Sequence, residues 1–329
     1  MRKISVGLAA LGVAASLTLA ACSSGTPAAS GSAGGDSGTK PYIAIVSKGF
    51  QHQFWQAVKS GAESKAEELN VEISFDGPAS ETEVEAQMTM LQNALAKNPA
   101  ALGFAALDSK AAASVLQQFQ SANIPVIAFD SGVDSDIPLT TAATDNQAAA
   151  AEAAKHMCEL IGNKGTVGMI VHDQVSKSGT DRRDGFIAGI KANCPDVTLL
   201  DPQYGSGDQA KSADIAKSMI QANPDIAGIF GSNEGSAIGA VKGVGEMGDA
   251  AKNVVLVGFD SGQAQIDAIN NGTMAGAITQ NPVGMGEAVV QAAVDAINGK
   301  SLEKTIDTGF YWYDKSNIND EKIQAVLYK

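Results

Sequence analysis

Aromatic side chains make up only 5% of this 329-residue chain, and histidine and cysteine occur three times each. No CxxC pair or Cys/His spacing is present, so a zinc site is not expected. G-x-S-x-G, Walker A and H-E-x-x-H motifs are also missing, which removes the common signatures of hydrolases, nucleotide-binding proteins and metalloproteases. No metal and no cofactor is expected. Lysine and arginine are outnumbered 23 to 36 by acidic residues, giving a net charge of −13. With no basic cluster, nucleic acid is excluded as a natural partner, and the acidity suits a solvated surface protein. Only one long apolar run occurs, near the start.

That run, Ile4 to Leu19, follows Arg2 and Lys3 and ends at Leu19-Ala20-Ala21-Cys22. A charged start, a short apolar middle and small residues before a cleavage point form a secretory signal. The run is too short and too rich in Ala and Gly to read as a membrane span. The Leu-Ala-Ala-Cys string resembles the lipobox of bacterial lipoproteins. That resemblance implies a leader over 1–21 and a diacylglyceryl thioether on Cys22, with enough acyl carbon for a stable anchor. An ordinary signal with an incidental cysteine is the competing reading. Residues 22–40, mostly Gly, Ser, Ala and Thr, have no apolar periodicity and read as the flexible, lipid-anchored spacer. The expected location is extracytoplasmic, at the cell membrane.

From Pro41 onward, apolar runs alternate with helical stripes. Tyr42–Val46, Val71–Phe75, Leu102–Ala106 and Ile124–Phe129 read as strands. Gln53–Asn70, Glu81–Lys97 and Ser109–Ala122 between them read as helices. The pattern restarts after Asp145. Helices are expected at Gln147–Ile161, Asp181–Ala192, Lys211–Ala222 and Gly235–Met247, with strands at Gly165–Val171, Val197–Leu200, Ile226–Phe230 and Val254–Gly258. Continuously apolar strands fit parallel sheets covered on both faces. The halves also repeat. Ile124–Gly132 (IPVIAFDSG) matches Val254–Gly262 (VVLVGFDSG), with Asp130 and Asp260 130 positions apart. Upstream, Asn98–Gly103 (NPAALG) matches Asn223–Gly228 (NPDIAG), 125 positions apart. Two matches in the same order argue for two lobes of one design. The expected fold is α/β, with two doubly wound parallel-sheet lobes joined by three crossovers. One lobe takes 41–144 plus 281–307 and the other 145–280 plus 308–329.

Ligands of such sheets bind beyond the carboxyl ends of the strands, where Asp130-Ser131 and Asp260-Ser261 both fall. Three of the rare aromatics, Phe50, Phe54 and Trp55, follow the first strand. Phe54 fits the core stripe of its helix and Trp55 fits it less well, and aromatic faces also suit the C–H faces of a sugar. Lys48, near the cleft, reads as a solvated lysine. His156 reads as a surface or packed histidine. His172-Asp173 follows a strand end, where a rim position competes with a packed one. Cys158 and Cys194 are either a disulfide or two buried thiols, since sequence does not carry their separation.

The chain resembles the ribose/galactose-type periplasmic binding proteins, the type I sugar receptors of ABC importers, over essentially all of Pro41 to Lys329. The residues that carry this are the aromatic pair opening the first helix, Phe129-Asp130, Thr144-Asp145-Asn146, Arg182 to Phe186, Ser232-Asn233-Glu234, Val257 to Asp260, and Thr279 to Pro282. The resemblance implies that Phe54 and Trp55 sandwich the ligand. His52, Asp130 with Ser131, Arg182, Asn233, Asp260 and Gln280 would form its hydrogen-bonding ring. It implies a monomer with a small polyhydroxy ligand, a sugar or sugar alcohol, and an ABC permease as partner. Ribose-type members often carry a further aromatic where this chain has Gly207, with Tyr204 as a nearby substitute. A sugar-sensing receptor, and a hydrolase using Asp130 and Asp260 as a glycosidase pair, are the alternative functions.

Overall fold

The computed structural model describes residues 40–328. The expected leader, Cys22 and most of the spacer lie outside the described residues, as does Lys329. The described residues begin with β1 (Tyr42–Val46), α1 (Gln53–Glu68), β2 (Glu72–Asp76), α2 (Val84–Ala96), β3 (Ala101–Phe104), α3 (Ala113–Ser121), β4 (Val126–Phe129) and β5 (Thr140–Ala143). The chain then crosses into α4 (Asn146–Leu160), β6 (Gly165–Val171), α5 (Lys177–Asn193), β7 (Val197–Leu199), β8 (Gln203–Tyr204) and α6 (Gln209–Ala222). These are followed by β9 (Ile226–Gly231), α7 (Glu234–Met247), β10 (Val255–Phe259), α8 (Gln263–Asn271) and β11 (Gly276–Gln280). Last come α9 (Pro282–Ile297), β12 (Thr305–Asp307), β13 (Phe310–Asp314) and α10 (Glu321–Gln324).

Two sheets result, ordered β12-β5-β4-β3-β1-β2 and β13-β11-β10-β9-β6-β7, with β8 also paired to β6. Every pairing is parallel except that of β13 with β11. Alternation along β1 shows why its run is wholly apolar. Ile43 and Ile45 pack under α1 and α9, while Ala44 and Val46 pack under α2 and α3. The second sheet is covered in the same way, by α4 and α5 on one face and by α6, α7 and α8 on the other. The fold is thus the expected pair of α/β lobes, each a parallel sheet between helical layers. The chain passes between the sheets after β5, after β11 and between β12 and β13. Tyr328, at the far end, returns to the first lobe's core beside Phe54, with ring centroids 6.2 Å apart.

Three helix starts differ from expectation by three or four residues: α3 starts at Ala113 and not Ser109, and the other two differences matter for the site. The Glu81 stretch does not begin a helix. Glu81 lies in the turn before α2, where its backbone N–H donates to Gln51 Oε1 at 2.9 Å. Conversely, α5 starts four residues early because Ser176 caps it, its hydroxyl accepting from Gly179 N at 3.1 Å. Gly179 is required there, since a Cβ would lie 2.9 Å from the Asp173 carbonyl oxygen. Cys158 in α4 and Cys194 at the end of α5 are joined as a disulfide, with Cα atoms 5.7 Å apart. Closing that 36-residue separation contributes about 3–4 kcal/mol by loop entropy.

Candidate functional site

The carboxyl ends of both sheets face each other across a cleft. Asp130 follows β4 and Asp260 follows β10. The repeat seen in sequence extends to the backbone, with φ of 53° at Asp130 and 81° at Asp260. Each N–H donates to the neighbouring strand, Asp130 to Ala142 O at 3.0 Å and Asp260 to Ile278 O at 2.6 Å. Left-handed backbone at a non-glycine residue is strained and persists only when its surroundings enforce it. At Asp260 the enforcing groups are Tyr313, whose hydroxyl donates to Asp260 O at 2.8 Å, and Tyr328, whose hydroxyl accepts from Ser261 N at 3.2 Å.

A cavity between the lobes is lined by His52, Phe54, Trp55 and Asp130 from one lobe, and by Arg182, Asn233, Asp260 and Gln280 from the other. Eight of the nine residues expected at a ligand site are thus brought together. Ser131 stands behind the wall, where its hydroxyl accepts from Ser178 N across the lobes at 3.3 Å. Phe54 and Trp55 meet edge to face, at 84° and 4.9 Å between centroids. Asp260 accepts from Gln280 Nε2 at 2.7 Å and from Glu234 N at 2.9 Å. Arg182 is fixed by Asn146 Oδ1 at 2.7 Å and Ser232 O at 2.9 Å, with its guanidinium 3.8 Å above the Phe259 ring. Asn233 caps α7 through Oδ1, leaving its amide nitrogen free of that bond.

Four further residues line the same cavity, Lys48, Glu81, His172 and Ser178. The expectation of a solvated Lys48 is wrong, as it is 2% exposed. It sits at a strand end whose opposite wall is acidic. Its Nζ lies 4.0 Å from Glu81, 3.7 Å from Asp173 and 3.3 Å from Ser178 Oγ. Burial opposes its charge, but Glu81 and Asp173 outweigh burial and raise its pKa. Burial likewise opposes the charge on Glu81, yet Lys48 draws its pKa below the usual range. His172 is buried, and burial depresses it to about 3, so the ring is neutral; its Nδ1 pairs with Ser232 Oγ at 2.8 Å. The strand-end rule that singled out Asp130 points equally to Lys48 after β1, Glu81 after β2 and His172 after β6. His156 is outside the site, stacked on Trp312 at 3.9 Å.

Tyr204 does not replace the aromatic that Gly207 lacks. It is packed, half-buried, with the second lobe's core, away from the cavity wall. The space at Gly207 is already taken. With φ of 64°, a Cβ there would lie 3.2 Å from Asn233 Nδ2 and Gln51 Nε2, and 3.3 Å from His52 Nε2.

The lobes are closed on one another. Glu234 of the second lobe accepts from Gln53 N and Phe54 N at 3.1 and 3.2 Å, capping α1, which has no side-chain cap of its own. Gln53 Oε1 in return accepts from Gln263 N, at the start of α8, at 2.8 Å. Each lobe thus satisfies orphan helix donors of the other. The enclosed cavity that these groups line is about 20 Å³, roughly one water, so anything larger enters it only as the lobes part. A roomier groove of about 490 Å³ runs beside α6, but its walls come from a single lobe. Among the described residues no helix is long and apolar enough to cross a membrane.

Two matched lobes, hinged by three chain crossings and closed on a cavity of buried polar groups and aromatic walls, define a bilobal binding module. The chain belongs to the periplasmic binding protein family, whose domain, described as a periplasmic binding protein domain, matches residues 43–301. It is similar to the D-allose-binding periplasmic protein of Escherichia coli K12, 26% identical over 77% of this chain and 83% of that one. Among solved structures, an ABC transporter solute-binding protein from Agrobacterium vitis with bound D-fucose superposes with a TM-score of 0.84. It is 31% identical, over 87% of this chain and all of that one. A carbohydrate transporter solute-binding protein from Agrobacterium radiobacter, in complex with D-arabinose, gives 0.83 at 29% identity, over 88% of this chain and 99% of that one.

Proposed function

We propose that this protein captures a neutral sugar or sugar alcohol between its lobes outside the cytoplasm and delivers it to an ABC importer permease, held at the membrane through Cys22. The observation that carries the ligand class is Asp130. Its side chain is 5% exposed and lines the cavity, and among the described residues nothing donates a hydrogen bond to its carboxylate. Burial raises its pKa to about 6. A buried carboxylate needs donors, and vicinal hydroxyls supply two at once. Charge on the walls favours a neutral ligand. Lys48 and Arg182 repel an ammonium, while Asp130, Asp260 and Glu81 repel a carboxylate or phosphate. The solved neighbours named above hold neutral sugars. Ligand that touches both lobes draws them together around itself, in a closed state wider than this one by the ligand's own volume, because only there does it meet both walls.

A thermal-shift panel of pentoses, hexoses, polyols, sugar acids and amino sugars tests the ligand class. One neutral compound is expected to raise Tm strongly, since ligand at a hundred times Kd stabilises by about 2.7 kcal/mol. A response confined to the sugar acids or the amino sugars would remove the assignment. The tether is tested separately by fractionating cells that express Cys22→Ala. The parent chain is expected in the membrane fraction and the variant in the soluble or secreted fraction; equal membrane retention would show that Cys22 anchors nothing.

A further inference from the structure

One ring nitrogen in the cavity wall has no partner among the described residues, and its neighbours dictate whether it carries the hydrogen. Gln51 lies just outside the wall, and its amide orientation is fixed at both ends. Glu81 N–H, which can only donate, gives its hydrogen to Gln51 Oε1 at 2.9 Å. Gly207 O, which can only accept, lies 3.4 Å from Gln51 Nε2. Nε2 is therefore the NH2 end, and it also lies 3.0 Å from His52 Nε2. Two N–H groups cannot face each other at that distance, so His52 Nε2 presents its lone pair and the imidazole hydrogen resides on Nδ1. His52 is 5% exposed, and its Nδ1 is buried with no partner among the described residues. An unmade buried donor is costly, and one kept in a native site calls for an explanation.

We propose that Gln51 is a positioning residue that holds His52 in the Nδ1–H tautomer, so that the imidazole donates to an oxygen of the bound sugar. This rests on the sugar-binding reading of the cavity. It adds a residue that touches no ligand but decides whether His52 is a donor or an acceptor. The choice matters because the acidic wall supplies acceptors in excess. Asp130, Asp260 and Glu81 take hydroxyl hydrogens, while a sugar's ring oxygen, or a hydroxyl that already donates to a carboxylate, needs an N–H. The same Gln51 amide reaches Gly207 in the other lobe, so closure tightens the lock on the ring.

The chain has three histidines, His52, His156 and His172, so nitrogen NMR of the histidine-labelled full chain can assign each ring. In ligand-free wild type, His52 is expected to show a protonated Nδ1 and an unprotonated Nε2. Gln51→Glu keeps an acceptor for Glu81 N–H but turns an oxygen toward His52, and should move the hydrogen to Nε2. Affinity for the best binder among D-ribose, D-allose, D-fucose, D-arabinose and D-tagatose should then fall about tenfold to a hundredfold. His52→Asn supplies an amide donor with no tautomer to choose. Whatever affinity His52→Asn retains is the reference, and adding Gln51→Glu to it should change that affinity by less than about threefold. A wild-type His52 protonated on Nε2 would overturn the proposal without any variant. So would a Gln51→Glu loss of the same size in the His52→Asn background, which would mark Gln51 as merely structural. A panel in which no sugar binds wild type would sink the sugar reading instead, while the ligand-free spectrum still decides the tautomer.

Discussion

Asp130→Asn is expected to give a protein that is harder to melt at neutral pH and unable to hold its sugar. Burial raises the Asp130 carboxyl from 3.8 to about 6. The folded protein thus binds that proton more tightly than the unfolded chain does. The resulting stabilisation is complete below pH 3.8 and is lost as pH rises through about 6. Above that, keeping the ionised group buried costs about 3 kcal/mol, at 1.36 kcal/mol per unit. Asparagine removes the charge, keeps the shape and tolerates the left-handed φ of 53°. Denaturant melts of the ligand-free variant should therefore show a gain of up to about 3 kcal/mol at pH 7.5, shrinking toward zero near pH 4. A loss of stability at pH 7.5 would mean that the protein already partners the carboxylate. Binding should weaken by a factor on the order of 10² or more, because bonds to a charged acceptor contribute about 1.5–3 kcal/mol each. Wild-type affinity should also drop as pH falls below 6, by as much as tenfold per unit, and the variant should not follow that slope. The groups facing Asp130 include Lys48, Arg182, Glu81 and Asp260. Of these, Lys48 is shifted up and Glu81 down, both away from this window.

Asp260→Ala should abolish capture and also destabilise the fold. Asp260 is the acceptor for Gln280 Nε2 and for Glu234 N, and its carboxylate lies 4.0 Å from the Arg182 guanidinium. Truncation strands all three. Arg182, 3% exposed, would keep its charge in the cavity with less to balance it, a loss that typically costs about 3–5 kcal/mol when one partner of a buried pair is removed. Alanine would also have to hold φ of 81°, adding about 1–3 kcal/mol of strain. Gln280 continues through its Oε1, which accepts from Thr144 Oγ1 at 2.9 Å, to the first crossover. The damage therefore reaches the hinge. Asp260→Asn separates the two effects, because it keeps the backbone preference and one acceptor oxygen. It should melt closer to wild type and still bind at least about 10²-fold more weakly. If calorimetry finds Asp260→Asn binding with wild-type affinity, the carboxylate is a structural brace and the ligand is held elsewhere.

The two parallel sheets were legible because strands covered on both faces must be apolar without interruption, and helices between them must carry one stripe. Asp130 and Asp260 were legible because the IPVIAFDSG and VVLVGFDSG stretches place the same carboxylate beyond the same strand in each lobe. Glu81 was not. Its spacing continued the stripe of the next helix, and contacts far away in sequence, its backbone bond to Gln51 and its side-chain bond from Trp55 Nε1, hold it in the turn before that helix. Lys48 was missed because a lone lysine after a strand is solvated unless a second surface covers it. Here that surface, with Asp173, Ser176 and Ser178, belongs to the other lobe. The disulfide was undecidable for the same kind of reason, since helix spacing says nothing of how near α4 comes to the end of α5.

Sequence by itself determined the class of fold, the doubled design and the strand-end carboxylates, because these follow from local periodicity and from repetition along one chain. The tertiary structure alone decided which charges are buried, which ring nitrogen of His52 holds the hydrogen and why Gly207 has no room for an aromatic. Each of those depends on atoms brought together by folding, across a turn of one lobe for Gln51, His52 and Glu81 and across the cleft for Asp173 and Gly207, and local sequence does not encode what stands there.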